Sequence, residues 1–340
     1  MGAARYAAIR AAFEFLWASH LPGLVRRVSS SKGVIFTLHR VLPEPPAPFA
    51  PNAILQVTPD FLRFAIERVR KLGLDVVSLD EAIARIENPD RTKPFVVFTF
   101  DDGYRDNRDF ALPVLRSLGA PFTLYIPTAL IDGVGQVWWQ ALEDVIRQRP
   151  DILVPGQGET RSTSTVAEKQ EVYDDLYAQM RKMPEHERVI FIRMLCGQYD
   201  MDLNAHCRAL IMDWDELRLV AADPLCTIGA HTVHHYELSK LPEPEMRDEI
   251  ARSAEILEQR LGKKPKHLSF PIGSTIAAGP REYAASKDLG FRSAVTTKPG
   301  GLYHRHAEAL TSLPRISLNG LYQKPRYVDV FATGALFPKG

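Results

Sequence analysis

Two short stretches of the chain bring together residue types that bind metal ions and move protons. The first is Phe98-Thr99-Phe100-Asp101-Asp102-Gly103, where apolar and β-branched residues lead into two adjacent carboxylates. Neighbouring aspartates at a strand end repel unless a positive charge sits beside them. A metal ion meets that cost, held by one carboxylate while the other stays free as a base. Gly103 allows a sharp turn afterwards, and a plain helix cap is the simpler alternative. The second stretch is Ile228-Gly229-Ala230-His231-Thr232-Val233-His234-His235. His231 and His235 are four apart, a spacing that shares one face of a helical turn, whereas His234 points elsewhere. Two histidines and one aspartate form a three-ligand set with an open position, the pattern of a catalytic metal. Such a metal lowers the pKa of water toward about 7.

Three weaker stretches have the same form, an apolar run ending in polar or turn residues. His39, after Phe36-Thr37-Leu38, could give a proton to a leaving amine or alcohol. Leu268-Ser269-Phe270-Pro271-Ile272-Gly273 offers backbone N–H groups in a tight turn, which can stabilise an oxyanion. Arg315, in Leu313-Pro314-Arg315-Ile316, could pair with Asp101 and hold it ionised.

The elements that must position these residues alternate. Strand patterns fall at 34–38, 74–78, 95–100, 121–126, 226–230, 268–271, 292–297 and 313–316. Helical patterns at 59–71, 80–86, 108–118, 244–261 and 281–289 lie between several of them. Strand–helix alternation predicts a parallel sheet with covering helices, and this many strands suggest a barrel. Asp101, His231, His39, Gly273 and Arg315 then all fall at or near the C-terminal ends of strands, the face that builds the site in such barrels. Between about residues 132 and 219 no strand is evident, 154–164 reads as a polar loop, and helical patterns dominate. This predicts a mainly helical insertion, a lid or binding wall. Residues 1–30 form an amphipathic helical segment, 31–131 and 220–318 the barrel, and 319–340 a wrapping tail.

Net charge is +1 with 45% hydrophobic residues, which gives no basic stripe for nucleic acid and enough apolar material for a sizeable core. Cys196, Cys207 and Cys226 lack the number and spacing of a disulfide framework. No apolar run spans a bilayer, and Glu14 interrupts the N-terminal apolar stretch, which reads poorly as an export signal. The expected location is therefore cytoplasmic. Ala8, Ile9, Ala12, Phe13, Leu16 and Trp17 at helical spacing predict a helix packed on the domain. The alternative is peripheral contact with the inner membrane through residues 1–27, with Arg5, Arg10, Arg26 and Arg27 facing headgroups.

At these residues the chain resembles the polysaccharide deacetylases, the NodB-type carbohydrate esterases. The family's T-F-D-D-G motif stands as Thr99-Phe100-Asp101-Asp102-Gly103, and its H-[ST]-x-x-H motif as His231-Thr232-Val233-His234-His235. The resemblance runs from about 34 to 318 and implies a distorted (β/α)7 barrel. It implies Asp101 as general base and Asp102, His231 and His235 as ligands of one divalent metal, zinc first, with cobalt, nickel or manganese as alternatives. The third motif, R-x-P-Y-G, is met only as Ser269-Phe270-Pro271-Ile272-Gly273, so the arginine that steadies the base is vacant or is Arg315. The late Leu-x-x-His is not evident; His304 and His306 lie nearby but off spacing. Leu38-His39-Arg40-Val41 is similar to the early segment of branches acting on poly-N-acetylglucosamine, which makes His39 the expected acid. Tyr104, Pro271 and Ile272 are the expected substrate or oxyanion contacts. The expected reaction is removal of acetyl groups, from nitrogen first, on an acetylated glycan or sugar precursor. The alternatives are a sugar O-acetyl esterase, a non-sugar amidohydrolase, or a carbohydrate-binding protein without turnover. Trp138 and Trp139 could stack on sugar faces or belong to the core.

Overall fold

The computed structural model describes residues 3–88, 90, 92–334 and 337. Seven parallel strands form its centre: β1 (Gly33–Leu38), β2 (Phe95–Phe100), β3 (Phe122–Ile126), β4 (Cys226–Ala230), β5 (His267–Ser269), β6 (Ser293–Val295) and β7 (Ile316–Ser317). They lie in the order β6-β5-β4-β3-β2-β1-β7. The sheet curls on itself, because Leu313, just before β7, bridges Val295 of β6 in parallel. This is the distorted (β/α)7 barrel. β1 and β2 are buried along their whole lengths. Their runs, GVIFTL and FVVFTF, are continuous rather than alternating, as strands covered on both faces require.

Helices cover the barrel where the 3.6-residue period places them. Pro59–Lys71 starts at Thr58, whose hydroxyl accepts from Phe61 N at 3.1 Å, and buries Phe61, Leu62, Ala65, Ile66 and Val69 on one face. Glu243–Leu261 buries Met246, Ile250, Ala254 and Leu257, with Glu249 set into the same stripe.

The expected organisation needs four corrections. The 74–78 strand shrinks to Asp75–Val76, which pairs with the start of β2 beside the barrel path. Within 132–219, the helices Trp138–Gln148, Val166–Met180 and Glu185–Gly197 are joined by two more, Leu203–Leu210 and Trp214–Ala221. The supposed polar loop instead helps form an antiparallel hairpin, Asp151–Leu153 with Thr160–Ser162. The tail contains a helix, Pro325–Phe331, that buries Tyr327, Val328, Val330 and Phe331. That helix receives the N-terminal helix Ala3–Ala18: Phe13 packs on Tyr322, Tyr327 and Phe331, and Glu14 accepts from Lys324, Arg326 and Tyr327. The side chains of Arg5, Arg26 and Arg27 lie outside the described residues.

Gly33 shows how close the central strands run. A Cβ there would meet Phe95 O at 2.2 Å. Gly33→Ala is therefore expected to lower unfolding stability by about 1–3 kcal/mol, the usual overpacking cost. Denaturant unfolding measures it, and an unchanged midpoint would contradict this packing.

Candidate active site and metal centre

Asp101 and Asp102 follow the last residue of β2 and are almost fully buried. The chain turns there through the left-handed region, φ 75° at Asp102 and 73° at Gly103. The turn sends the two neighbouring carboxylates to different partners. Asp101 meets Arg315 in a bidentate pair, with Nη1 to Oδ1 at 2.8 Å and Nη2 to Oδ2 at 2.7 Å. Arg315 is itself buried and fully engaged: Nε donates to Thr296 O at 3.0 Å, Nη1 to Thr99 Oγ1 at 3.1 Å and Nη2 to Ser269 Oγ at 2.9 Å. Burial pushes the Asp101 carboxyl up, but the Arg315 guanidinium outweighs it, helped by His231 and His39, and holds Asp101 well below the usual range. Asp101 is thus ionised; its Oδ2 also accepts from Ser269 Oγ at 3.4 Å, while Oδ1 keeps a lone pair beyond its bond to Arg315.

Asp102 turns the other way. Its Oδ1 is buried without a hydrogen-bond partner. It lies 3.5 Å from His231 Nε2 and 3.3 Å from His235 Nε2. Among the described residues, Asp102, His231 and His235 form the one group whose ligand atoms all lie within 4.8 Å of one another. Three donor atoms aimed at one point, one of them an orphaned buried carboxylate oxygen, fit a divalent cation. Each histidine turns its Nε2 toward Asp102. His231 Nδ1 donates to Ser269 O at 2.7 Å, which leaves its Nε2 lone pair toward Asp102. Burial pushes His235 down to about 3, against the pull of Asp102, so its imidazole is neutral at physiological pH.

The two histidines do not converge on a helical turn, as their spacing suggested. The segment after β4 is irregular, with φ 65° at Thr232 and 59° at His235. His235 N donates to Thr232 Oγ1 at 3.1 Å, and Glu249 accepts from the backbone N–H groups of Val233 and His234. His234 points out to Glu249 Oε1 at 2.5 Å.

His39 follows β1, half-buried, and adds to the stabilisation of both aspartate charges. Its backbone is fixed by Asn107 Nδ2, which donates to His39 O at 2.7 Å. Ile272 has φ 63°, and among the described residues its N–H has no acceptor; Pro271 before it is buried. Gly273 next to it cannot carry a side chain, since a Cβ would sit 2.8 Å from Thr297 N. Tyr104 departs from the expected substrate contact. Its side chain is fully buried, its hydroxyl accepts from Trp139 Nε1 at 2.8 Å, and Arg40 covers its ring. Trp138 and Trp139 are buried core residues, which leaves neither face open to a sugar. His304 and His306 bind local backbone at Ile86 and Tyr303 and stand outside the site.

Two contributors escaped the sequence. Ser269 occupies the arginine position of the third motif. Its hydroxyl accepts from Arg315 and faces Asp101 Oδ2 at 3.4 Å, while its carbonyl orients His231. A small residue in an otherwise recognisable motif was the available signal. Glu249 was marked only by being a carboxylate in the apolar stripe of its helix.

Replacing Arg315 tests the pairing. Arg315→Met leaves a lone buried carboxylate and is expected to cost about 3–5 kcal/mol near neutral pH. The sign is fixed by the shift. In the parent, a depressed pKa stabilises above the unfolded value and is lost only as pH falls through it. In the variant, burial alone raises the Asp101 pKa, so its native state takes up a proton on acidification and recovers. The stability gap between parent and variant should narrow from pH 7 to pH 5, and a gap independent of pH would contradict the pairing.

Comparison with known proteins identifies the family and the fold. The family model for polysaccharide deacetylase matches residues 88–294, more than half of the chain. The deacetylase PplD of Streptococcus pyogenes has a similar fold, with TM-score 0.58 at 16% identity over 89% of this chain and 99% of that one. IcaB from Ammonifex degensii gives 0.55 at 16% over 88% and 98%. A de-N-acetylase from Aggregatibacter actinomycetemcomitans gives 0.50 at 15% over 83% and 93%. No curated protein matches the sequence. With its two complete motifs meeting at one end of the barrel, the chain belongs to the polysaccharide deacetylase family and is a carbohydrate deacetylase.

Proposed function

We propose that this protein removes N-acetyl groups from a glycan or sugar precursor, in a metal-dependent reaction with Asp101 as the base. The observation that carries the reading is the meeting of Asp102, His231 and His235 within 4.8 Å beside an aspartate already neutralised by Arg315. Two imidazoles and one carboxylate favour zinc, with cobalt, nickel or manganese as alternatives. When bound, the ion supplies a Lewis acid that polarises a carbonyl and lowers the pKa of water.

The chain's own residues do the rest. Asp101 takes a proton from the attacking water. The carbonyl oxygen becomes an oxyanion and accepts from Ile272 N–H. The C–N bond then breaks. An amine does not leave as an anion, so a donor is needed, and His39 gives it a proton. Acetate and a free amino sugar are the products. Preference for nitrogen over oxygen rests on this donor beside the aspartates and on the neighbour described as a de-N-acetylase.

The reading includes peripheral contact with a membrane. Among the described residues no helix is long and apolar enough to cross one. The N-terminal pair of helices, Ala3–Ala18 and Leu21–Val28, exposes Phe15, Trp17, Leu21 and Leu24 in succession, with Phe15 73% and Leu24 59% exposed. Arg5, Arg10, Arg26 and Arg27 in the same stretch suit anionic headgroups.

Acetate release from paired N-acetylated and O-acetylated oligosaccharides tests the reaction. Release from the N-acetyl substrate should stop on chelation, return with added zinc, and fall at least about a thousandfold in Asp101→Asn, which keeps its metal. Near-normal rates in Asp101→Asn would refute its role as base, and release only from the O-acetyl substrate would refute the preference for nitrogen. For the membrane, Phe15→Asp with Leu24→Asp should weaken binding to phosphatidylglycerol vesicles by about tenfold or more in co-sedimentation. Equal binding by parent and variant would remove this face from the account.

A further inference from the structure

The helical insertion touches both metal-binding motifs. Near its end, Met212 N donates to Gly103 O at 3.1 Å and Ile211 bridges Tyr104, just beyond Asp102. Near its start, the Trp139 ring lies 4.9 Å from the His235 ring, centroid to centroid. Trp139 is held in turn by Tyr104, through the Nε1 to Oη bond of 2.8 Å. From its middle, Arg181 reaches the buried Glu237, two residues past His235, at 3.1 Å. Lys240 adds a second cation to that carboxylate at 3.4 Å.

These contacts matter because His231 and His235 are supported differently. A metal-binding histidine normally has its remote nitrogen hydrogen-bonded, which fixes the ring. His231 has that bond, to Ser269 O. The remote Nδ1 of His235 is buried without a partner. Its backbone, at φ 59°, is also one that side-chain-bearing residues rarely adopt. What fixes the His235 ring is packing between Trp139 and His231, the latter at 4.8 Å.

We propose that the insertion is a fixed brace for the metal centre, with Trp139 as the positioning residue that orients His235 and Arg181 holding the loop beyond it. Through Tyr104 and Ile211 the same brace grips the turn after Asp102, so it sets the distance between the carboxylate ligand and the second imidazole. The inference rests on the reading of Asp102, His231 and His235 as metal ligands. A brace of this kind acts before substrate arrives, and its loss shows in metal affinity.

The test is zinc affinity, by competition with a chromogenic chelator, in the full chain and in Trp139→Leu, Trp139→Phe and Tyr104→Phe. The unfolding midpoint of each metal-free protein is measured alongside. Trp139→Leu should bind zinc about 10–100-fold more weakly, the usual cost of losing an outer support. Trp139→Phe and Tyr104→Phe keep a ring on His235 but lose the Nε1 to Oη bond, so each should lose only about threefold to tenfold. Trp139→Leu binding as tightly as the parent would overturn the brace, as would Phe proving no better than Leu at matched midpoints. Should Trp139→Leu fail to fold, parental affinity in both conservative variants would overturn it as well. A parent chain that binds no zinc would instead overturn the ligand reading, so the two failures are distinguishable.

Discussion

The arrangement depends on separating two neighbouring carboxylates that are both buried. In a low-dielectric interior two adjacent negative charges cannot coexist uncompensated; one of them would take up a proton. Here the backbone turn at Asp102 divides them. Asp101 faces a guanidinium that is buried with it. Asp102 faces two imidazole nitrogens and keeps an oxygen without a donor. Each carboxylate thus has its own compensation, one supplied by the chain and the other suited to a cation. That division suits the two roles proposed for them, a base at Asp101 and a ligand at Asp102.

The local geometry carries strain in the right places. Among the described residues six non-glycine residues have positive φ, and four of them, Asp102, Thr232, His235 and Ile272, belong to the site. Each is costly in isolation, of order 1–3 kcal/mol. Nearby contacts hold them: Met212 N donates to Gly103 O beside Asp102, Thr232 Oγ1 and Glu249 fix the histidine segment, and Thr297 fixes the turn at Ile272.

Much of this was legible in the sequence, for physical reasons. β1 and β2 announce themselves because strands buried on both faces must be apolar throughout, and the residues ending them stand out as polar. Pro59–Lys71 could be placed to the residue because Thr58 and Pro59 mark its start and its apolar period is unbroken. Helices Leu203–Leu210 and Trp214–Ala221 were illegible because they are short and bury few of their residues. The histidine spacing pointed to convergence through the wrong conformation: left-handed residues at Thr232 and His235 replace the helical turn, and nothing in the residue types discloses them. Tyr104 was misread because adjacency to Asp102 in sequence says nothing about burial under Trp139 and Arg40.

The position of Arg315 shows how one motif can migrate while its chemistry persists. Ser269 on β5 reaches Asp101 Oδ2 at 3.4 Å but carries no charge, and its small size leaves room for a guanidinium arriving from another strand. Arg315 comes from the segment leading into β7. Its backbone N donates to Lys298 O, and Leu313 N donates to Ala294 O, so the same residues close the barrel against β6. Closing the barrel and ionising Asp101 are therefore one structural event. Without β7 in place, Asp101 would be a buried carboxylate with no counter-charge, and burial would favour its protonated form. With β7 in place, the guanidinium is fixed by Thr296 O, Thr99 Oγ1 and Ser269 Oγ before any substrate is present. The packing that closes the barrel thus also fixes the charge of Asp101, which ties the weakly patterned C-terminal third of the chain to the site.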